Sequence, residues 1–374
     1  MNSSTSSSSQ EASRSRRYLG VLAIAVAVLA GNVAIPNILT DPYWYFGGGW
    51  REGLRYPFMT REAKLNRLQG EETAYDCLIS GSSRALTLDP RAFQNHRCFN
   101  LAVEGTTLPE SAELAARFAK VIPSPAIIIQ SVDRFDFETA ACRAGQGKAE
   151  AARAQQSAPW FQRYFSPDIL RFSRRLTQDR ITGIGYDSRW SPVFDRHGTY
   201  APRWATLGAA LAAHPSGVPS NREYTRACFS AVDELRRLFP TSQLTGYVSP
   251  ISADIVLRIF VEGELETYLA TVHDIAQRFD AFYDFAFPSA LTLGSDATWD
   301  GSHFDPSISE PLAATLEGRE EGPALPVHRL SKAQYTALYR AKIADLIAQL
   351  PERAEQERPH TVGAPLGAEP PQRL

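Results

Sequence analysis

The feature that most limits what this chain can become is an uncharged run from Tyr18 to Thr40, entered through Arg14, Arg16 and Arg17. An α-helix rises 1.5 Å per residue, so about 20 residues cross the hydrocarbon of a bilayer. The run contains LGVLAIAVAVLAG and is long enough when Asn32 and Pro36 sit near its far end. The basic cluster keeps the N-terminus cytoplasmic, and Tyr43, Trp44, Tyr45 and Phe46 follow where the far interface falls. Residues 18–40 are therefore read as a transmembrane anchor, and the Ser-rich residues 1–17 as a disordered cytoplasmic tail. A cleaved signal peptide is the competing reading, because the most apolar stretch, Leu19 to Gly31, is short. On either reading the rest of the chain is exported to the periplasmic or other extracytoplasmic side.

A formal net charge of −2 over 374 residues, with arginines scattered rather than striped, argues against a nucleic-acid partner. Cys77, Cys98, Cys142 and Cys228 are the four cysteines, and an exported location permits disulfides. Three full pairings are open. Cys77 with Cys98 is geometrically feasible if their strands are neighbours, but spacing does not decide it. No Cys/His spacing points to zinc, and neither a metal nor a cofactor is indicated.

Short apolar or β-branched runs at residues 76–80, 97–101, 126–130, 243–248 and 281–287 read as strands. Amphipathic helical segments are expected at 108–120, 222–239, 264–279 and 331–350, the last stopping at Pro351. Alternation of this kind predicts an α/β domain over residues 41–354 with a mostly parallel sheet, whose chemistry collects at the carboxyl ends of the strands. Residues 143–242 are too long for a connection and are read as an insertion that caps or walls the site, and 355–374 as a disordered tail. Trp160, Tyr164, Trp190 and Trp204 within the insertion are either core or a stacking surface for sugar rings.

Three motifs carry chemistry. The first strand ends in Ile79-Ser80-Gly81-Ser82-Ser83-Arg84, where a tight turn and a helix start would display Ser83 beside a helix N-terminus. The second ends in Asn100-Leu101-Ala102-Val103-Glu104-Gly105, and a glycine there lets a backbone N–H approach a substrate oxygen. After the fifth comes Asp300-Gly301-Ser302-His303, in which the carboxylate can fix the imidazole tautomer and leave the other ring nitrogen to accept a proton from a serine. The other six histidines lack an acidic partner in a strand-end loop and read as structural or surface residues.

The order of these motifs resembles the blocks of the SGNH or GDSL hydrolases from Tyr75 to about Leu316. The resemblance implies a flavodoxin-like three-layer fold with sheet order 2-1-3-4-5. It makes Ser83 the nucleophile, Gly105 an oxyanion donor, and Asp300 and His303 the rest of the triad. The third block departs: the family has Gly-x-Asn-Asp where this chain has Gln130-Ser131-Val132-Asp133. Only Asp133 matches, so Gln130, Ser131 or Asn100 would have to supply the third donor. Asp133 is also placed to orient Arg84 or to bind a polar substrate. The anchor followed by Asp-Pro-Tyr-Trp, the Gly-Ser-Ser-Arg block, Tyr-Val-Ser-Pro at 247–250 and Tyr-Asp-Phe at 283–285 are similar to membrane-tethered alginate O-acetyltransferase-like and D-alanyl transfer proteins. That resemblance implies acyl transfer to an envelope or exopolysaccharide beside an integral-membrane O-acyltransferase partner. A non-catalytic polysaccharide-binding assembly subunit and a simple exported esterase are the alternatives.

Overall fold

The computed structural model describes residues 6–47, 56–57, 61–70, 75–154, 160–177, 184–186, 192–194, 200–213 and 222–357. A six-stranded sheet organises the part of the chain that follows the N-terminal helix. Its strands are β1 (Cys77–Ser80), β2 (Cys98–Asn100), β3 (Ile127–Val132), β4 (Gln243–Val248), β5 (Ala281–Asp284) and β6 (Leu325–Pro326), in spatial order β2-β1-β3-β4-β5-β6. All neighbours run parallel except β6, which pairs antiparallel with β5 through Tyr283 opposite Pro326 and Asp284 opposite Leu325. The five expected strands thus take the expected 2-1-3-4-5 order, and a sixth extends the edge.

Strands buried on both faces need apolar side chains on both, and β3, reading IIIQSV, is buried throughout. Alternate residues divide between two cores. Leu78, Ile128 and Leu244 pack on one side with the helices α3 (Leu108–Ala119), α7 (Ser230–Leu238), α8 (Ala253–Val261), α9 (Leu265–Ala276) and α10 (Lys332–Glu357). Cys77, Ile79, Ile127 and Ile129 pack on the other with α2 (Ser83–Leu86) and the helix Ser309–Leu316. Glu110 closes the first turn of α3, accepting from the Thr107 N–H at 3.2 Å in a capping box.

Two terminal expectations change. The N-terminal helix α1 runs Ser6–Thr40, so residues 6–17, read as disordered, are helical. They contain neither Gly nor Pro, and a helix already nucleated by the apolar span extends at little cost. An 18-residue window within its segment Ser13–Thr40 reaches a mean hydropathy of 2.3, which makes the segment a candidate membrane span. At the other end α10 passes through Pro351 to Glu357 instead of stopping there. Proline forfeits one ladder bond, but the final turn is held by Arg353, which bonds Gln349 at 2.9 Å and lies over the Trp204 ring at 5.2 Å. Most of the tail expected at 355–374 lies outside the described residues.

The segment between β3 and β4 is tied at its base. A disulfide joins Cys142 to Cys228, and the Thr139 N–H donates to the Glu223 carbonyl at 3.0 Å. From it come α4 (Trp160–Phe165), α5 (Pro167–Thr177) and α6 (Trp204–Ala213). Helices α4 and α5 pack on α1, and α6 packs on α10. Two further strands, Ile184–Tyr186 and Pro192–Phe194, form a small antiparallel sheet with Tyr56–Pro57. The second disulfide, Cys77–Cys98, bridges residues directly opposite in the β1–β2 register.

Candidate active site

Strand β1 ends at Ser80, and Gly81 turns the chain into α2 at φ +148°. A β-carbon at Gly81 would stand 2.6 Å from the Ser131 β-carbon, so only glycine fits between the two strand ends. Ser82 is the N-cap of α2 and Ser83 its first residue. The first amides of any helix lack intrahelical acceptors, and Ser83's is among them here.

The turn is fixed from β3. Asp133, 2% exposed, accepts a hydrogen bond from the Ser82 hydroxyl with one oxygen and from Arg84 with the other, at 2.9 Å. Asp136 in turn accepts from the backbone N–H of Asp133 at 2.9 Å and of Leu108 at 2.8 Å, tying the β3 loop to the start of α3. Burial, with the Asp133 charge beside it, pushes the Asp136 carboxyl well above the usual carboxylate range.

The loop after β5 supplies the rest. Asp300 makes a compact turn: one oxygen accepts from the backbone N–H groups of Ser302 and His303, each at 2.8 Å. The other is 2.7 Å from His303 Nδ1, and His303 Nε2 is 2.9 Å from the Ser83 hydroxyl. Partial burial opposes ionisation of Asp300, but the bond to His303, the imidazole charge and the two backbone donors outweigh it and hold its carboxyl far below the usual range. Thr298 accepts from the Gly301 N–H at 3.0 Å and donates to the His303 carbonyl at 2.8 Å, and Trp299 stands edge-on to the imidazole at 5.8 Å. Residues 220 positions apart are thereby in one relay. With Nδ1 protonated toward Asp300, Nε2 is free to take the serine proton.

The other expected residues divide. The loop after β2 lies against the turn, with the Val103 N–H donating to the Gly81 carbonyl at 3.1 Å. Gly105 follows it, exposed, at φ +62°. Asn100 is turned inward: its amide donates to the carbonyls of Ala85 and Leu88 at 2.8 and 2.9 Å, and its oxygen accepts from Ala102. It props α2 and is not available to an oxyanion. Gln130 is fully buried and donates to the Ser131 carbonyl at 2.6 Å, while Val132 is sealed in the core. Ser131 is also buried, its hydroxyl 3.1 Å from that of Ser249. All three residues expected to supply a third donor are thus buried and hydrogen-bonded within the fold.

Beside the triad is a cleft of about 320 Å³, lined among others by Arg84, Arg134, Arg258, Asp300, Ser249 and Ser302. Arg134 pairs with Glu264 and with Glu262 at 3.3 Å, and Arg222, from the insertion, pairs with Glu138 at 2.7 Å. No local motif marks these arginines, which come from separate elements; only their residue type was visible. The insertion also brings the Tyr200 ring under Gly301, with its hydroxyl on Asp254 at 2.6 Å. Trp204 is core, and Tyr164 packs on Phe46 at 5.2 Å near the end of α1, so neither offers a sugar platform at the triad. Trp190 and the Trp160 side chain lie outside the described residues. No protein-family model matches the chain, and no curated protein matches it in sequence.

Proposed function

We propose that this is an exported, membrane-anchored serine acyl-transfer enzyme, an O-acetyltransferase or acetylesterase acting on a cell-envelope or exopolysaccharide ester, with an SGNH-like fold. The observation that carries the reading is the continuous relay from the Ser83 hydroxyl through His303 to Asp300, at 2.9 and 2.7 Å. The β2-β1-β3-β4-β5 order, with Ser83 after β1 and the Asp-x-x-His loop after β5, accords with the SGNH hydrolase arrangement. Two disulfides fit an oxidising compartment, and the basic run before α1 fits an N-terminus held in the cytoplasm.

In this mechanism Ser83 Oγ attacks the acyl carbonyl carbon as His303 Nε2 takes the hydroxyl proton. Asp300 stabilises the imidazolium. The Ser83 and Gly105 backbone N–H groups donate to the oxyanion, and the intermediate collapses as His303 returns the proton to the leaving alcohol. A water or a sugar hydroxyl then enters by the same path in reverse, its proton going to His303. With two donors instead of three, the oxyanion forgoes about 2.7–4 kcal/mol of stabilisation, the cost measured for one such donor elsewhere. The arginine, aspartate and serine groups of the cleft suit a polar, hydroxyl-bearing or acidic acceptor, and its apolar wall of Val248, Ile251, Ile255 and Ile259 can take the acyl group. Ser83→Ala should abolish turnover of an acetyl ester while the folded protein is retained; undiminished turnover would sink the assignment.

A further inference from the structure

The length of α1 left uncovered by the rest of the protein bears on how the domain meets a bilayer. Every residue from Tyr18 to Leu29 is exposed, which is about 18 Å of helix. Hydrocarbon is about 30 Å thick, and Arg14, Arg16 and Arg17 fix its cytoplasmic edge near Tyr18. The far edge then falls about 20 residues on, near Asn37. From Ala30 onward, however, α4 and α5 lie against one side of α1, while Asn32, Ile35 and Leu39 on its other side stay exposed. A crossing by α1 therefore draws α4 and α5 down to the membrane boundary.

Both helices are built for that level. Phe161 and Phe165 of α4 present large apolar side chains that are 49% and 46% exposed. Arg171, Arg174 and Arg175 are exposed along one stripe of α5. The α4–α5 turn is satisfied from within: Asn37 donates to the Tyr164 carbonyl at 2.9 Å and accepts from Ser173 at 3.1 Å. Internal partners of this kind are what backbone groups need where water is scarce. Tyr45, over which Arg163 lies at 5.1 Å, and Phe46 continue an aromatic collar.

We infer that α4 and α5 form a second, interfacial contact with the bilayer that α1 crosses, with Phe161 and Phe165 among the upper acyl chains and the α5 arginines against anionic lipid phosphates. The inference rests on α1 being a membrane span. Its consequence is orientation: a single helix lets the domain swivel, whereas two contacts hold the triad at one height and facing.

The test uses the full chain in nanodiscs of phosphatidylglycerol and phosphatidylcholine. All four cysteines are disulfide-bonded, so a nitroxide can be placed singly through Ile24→Cys, Phe161→Cys or Phe165→Cys, all exposed positions. Relaxation by oxygen is compared with relaxation by a water-soluble nickel chelate. Oxygen should exceed nickel severalfold at 24, 161 and 165, and Arg171→Gln with Arg175→Gln should lower that ratio at 161 in anionic discs only. Oxygen preference at 24 with nickel preference at 161 and 165 would overturn the second contact while keeping the anchor. Nickel preference at 24 would overturn both.

Discussion

Asp133 is the residue through which β3 holds the Ser82–Ser83 turn, and a double-mutant cycle with Arg84 measures that coupling. Its side chain is 1% exposed and Arg84's is 21%, with 2.9 Å between them. Asp133→Asn removes the charge, weakens the acceptor for the Ser82 hydroxyl and leaves Arg84 uncompensated. Breaking a fully buried pair costs 3–5 kcal/mol, and partial exposure of Arg84 brings the expectation to roughly 2–4 kcal/mol. Arg84→Met removes the cation but leaves Asp133 its Ser82 donor, for roughly 1.5–3 kcal/mol, the range of a hydrogen bond to a charged group. The double variant should cost little more than Asp133→Asn alone, a coupling of about 2 kcal/mol. Urea unfolding of the detergent-solubilised protein, followed by intrinsic fluorescence, gives all four corners. Because Ser82 adjoins Ser83, Asp133→Asn should also lower turnover by about 10²-fold, the effect of a 1 Å misplacement. Costs that add within about 0.5 kcal/mol, with turnover unchanged, would refute the reasoning.

Asp300→Asn should lower kcat by about 10⁴-fold, since an amide cannot hold the Nδ1-protonated tautomer, and steady-state kinetics on an acetyl ester read this directly. The depressed carboxyl of Asp300 is a folded-state effect, so its stabilisation is complete above the ordinary carboxylate pKa of about 3.9 and fades as pH falls below it. The stability gap between wild type and Asp300→Asn should thus be flat from neutral pH to about pH 5 and shrink under stronger acid; a gap that widens there would contradict the sign. Cys142→Ser should cost about 2–4 kcal/mol by opening the loop to Cys228 and should loosen the insertion before the sheet, visible as faster amide exchange in α4–α6.

Much of the sheet was legible because buried parallel strands are short apolar runs with loops behind them, and the β4 run coincides with the strand itself. Strand β6 has only two residues, Leu325–Pro326, too few for any periodicity. Helix α8 begins at Ala253, directly after the strand-end loop, and was hidden by it. The cysteine pairing needed register, which places Cys77 opposite Cys98 and which spacing alone does not carry. At the site, Asp300 and His303 were readable because their geometry is local to one turn. Asn100 and Gln130 were not, since a strand-end position says nothing about which way an amide points; both turned inward to serve backbone carbonyls. Asp133 was recognised as a partner for Arg84, but its grip on Ser82 depends on two loops meeting.

The claim at the centre is that Ser83 is an activated nucleophile. Intact-mass measurement after incubation with a fluorophosphonate reads it directly, on the wild type and on Ser83→Ala, Ser82→Ala and His303→Ala. The account predicts one adduct on the wild type, mapped by peptide to Ser83, none on Ser83→Ala, retained labelling on Ser82→Ala, and labelling slowed by orders of magnitude on His303→Ala. A wild type that stays unmodified, or an adduct that persists on Ser83→Ala, would contradict it.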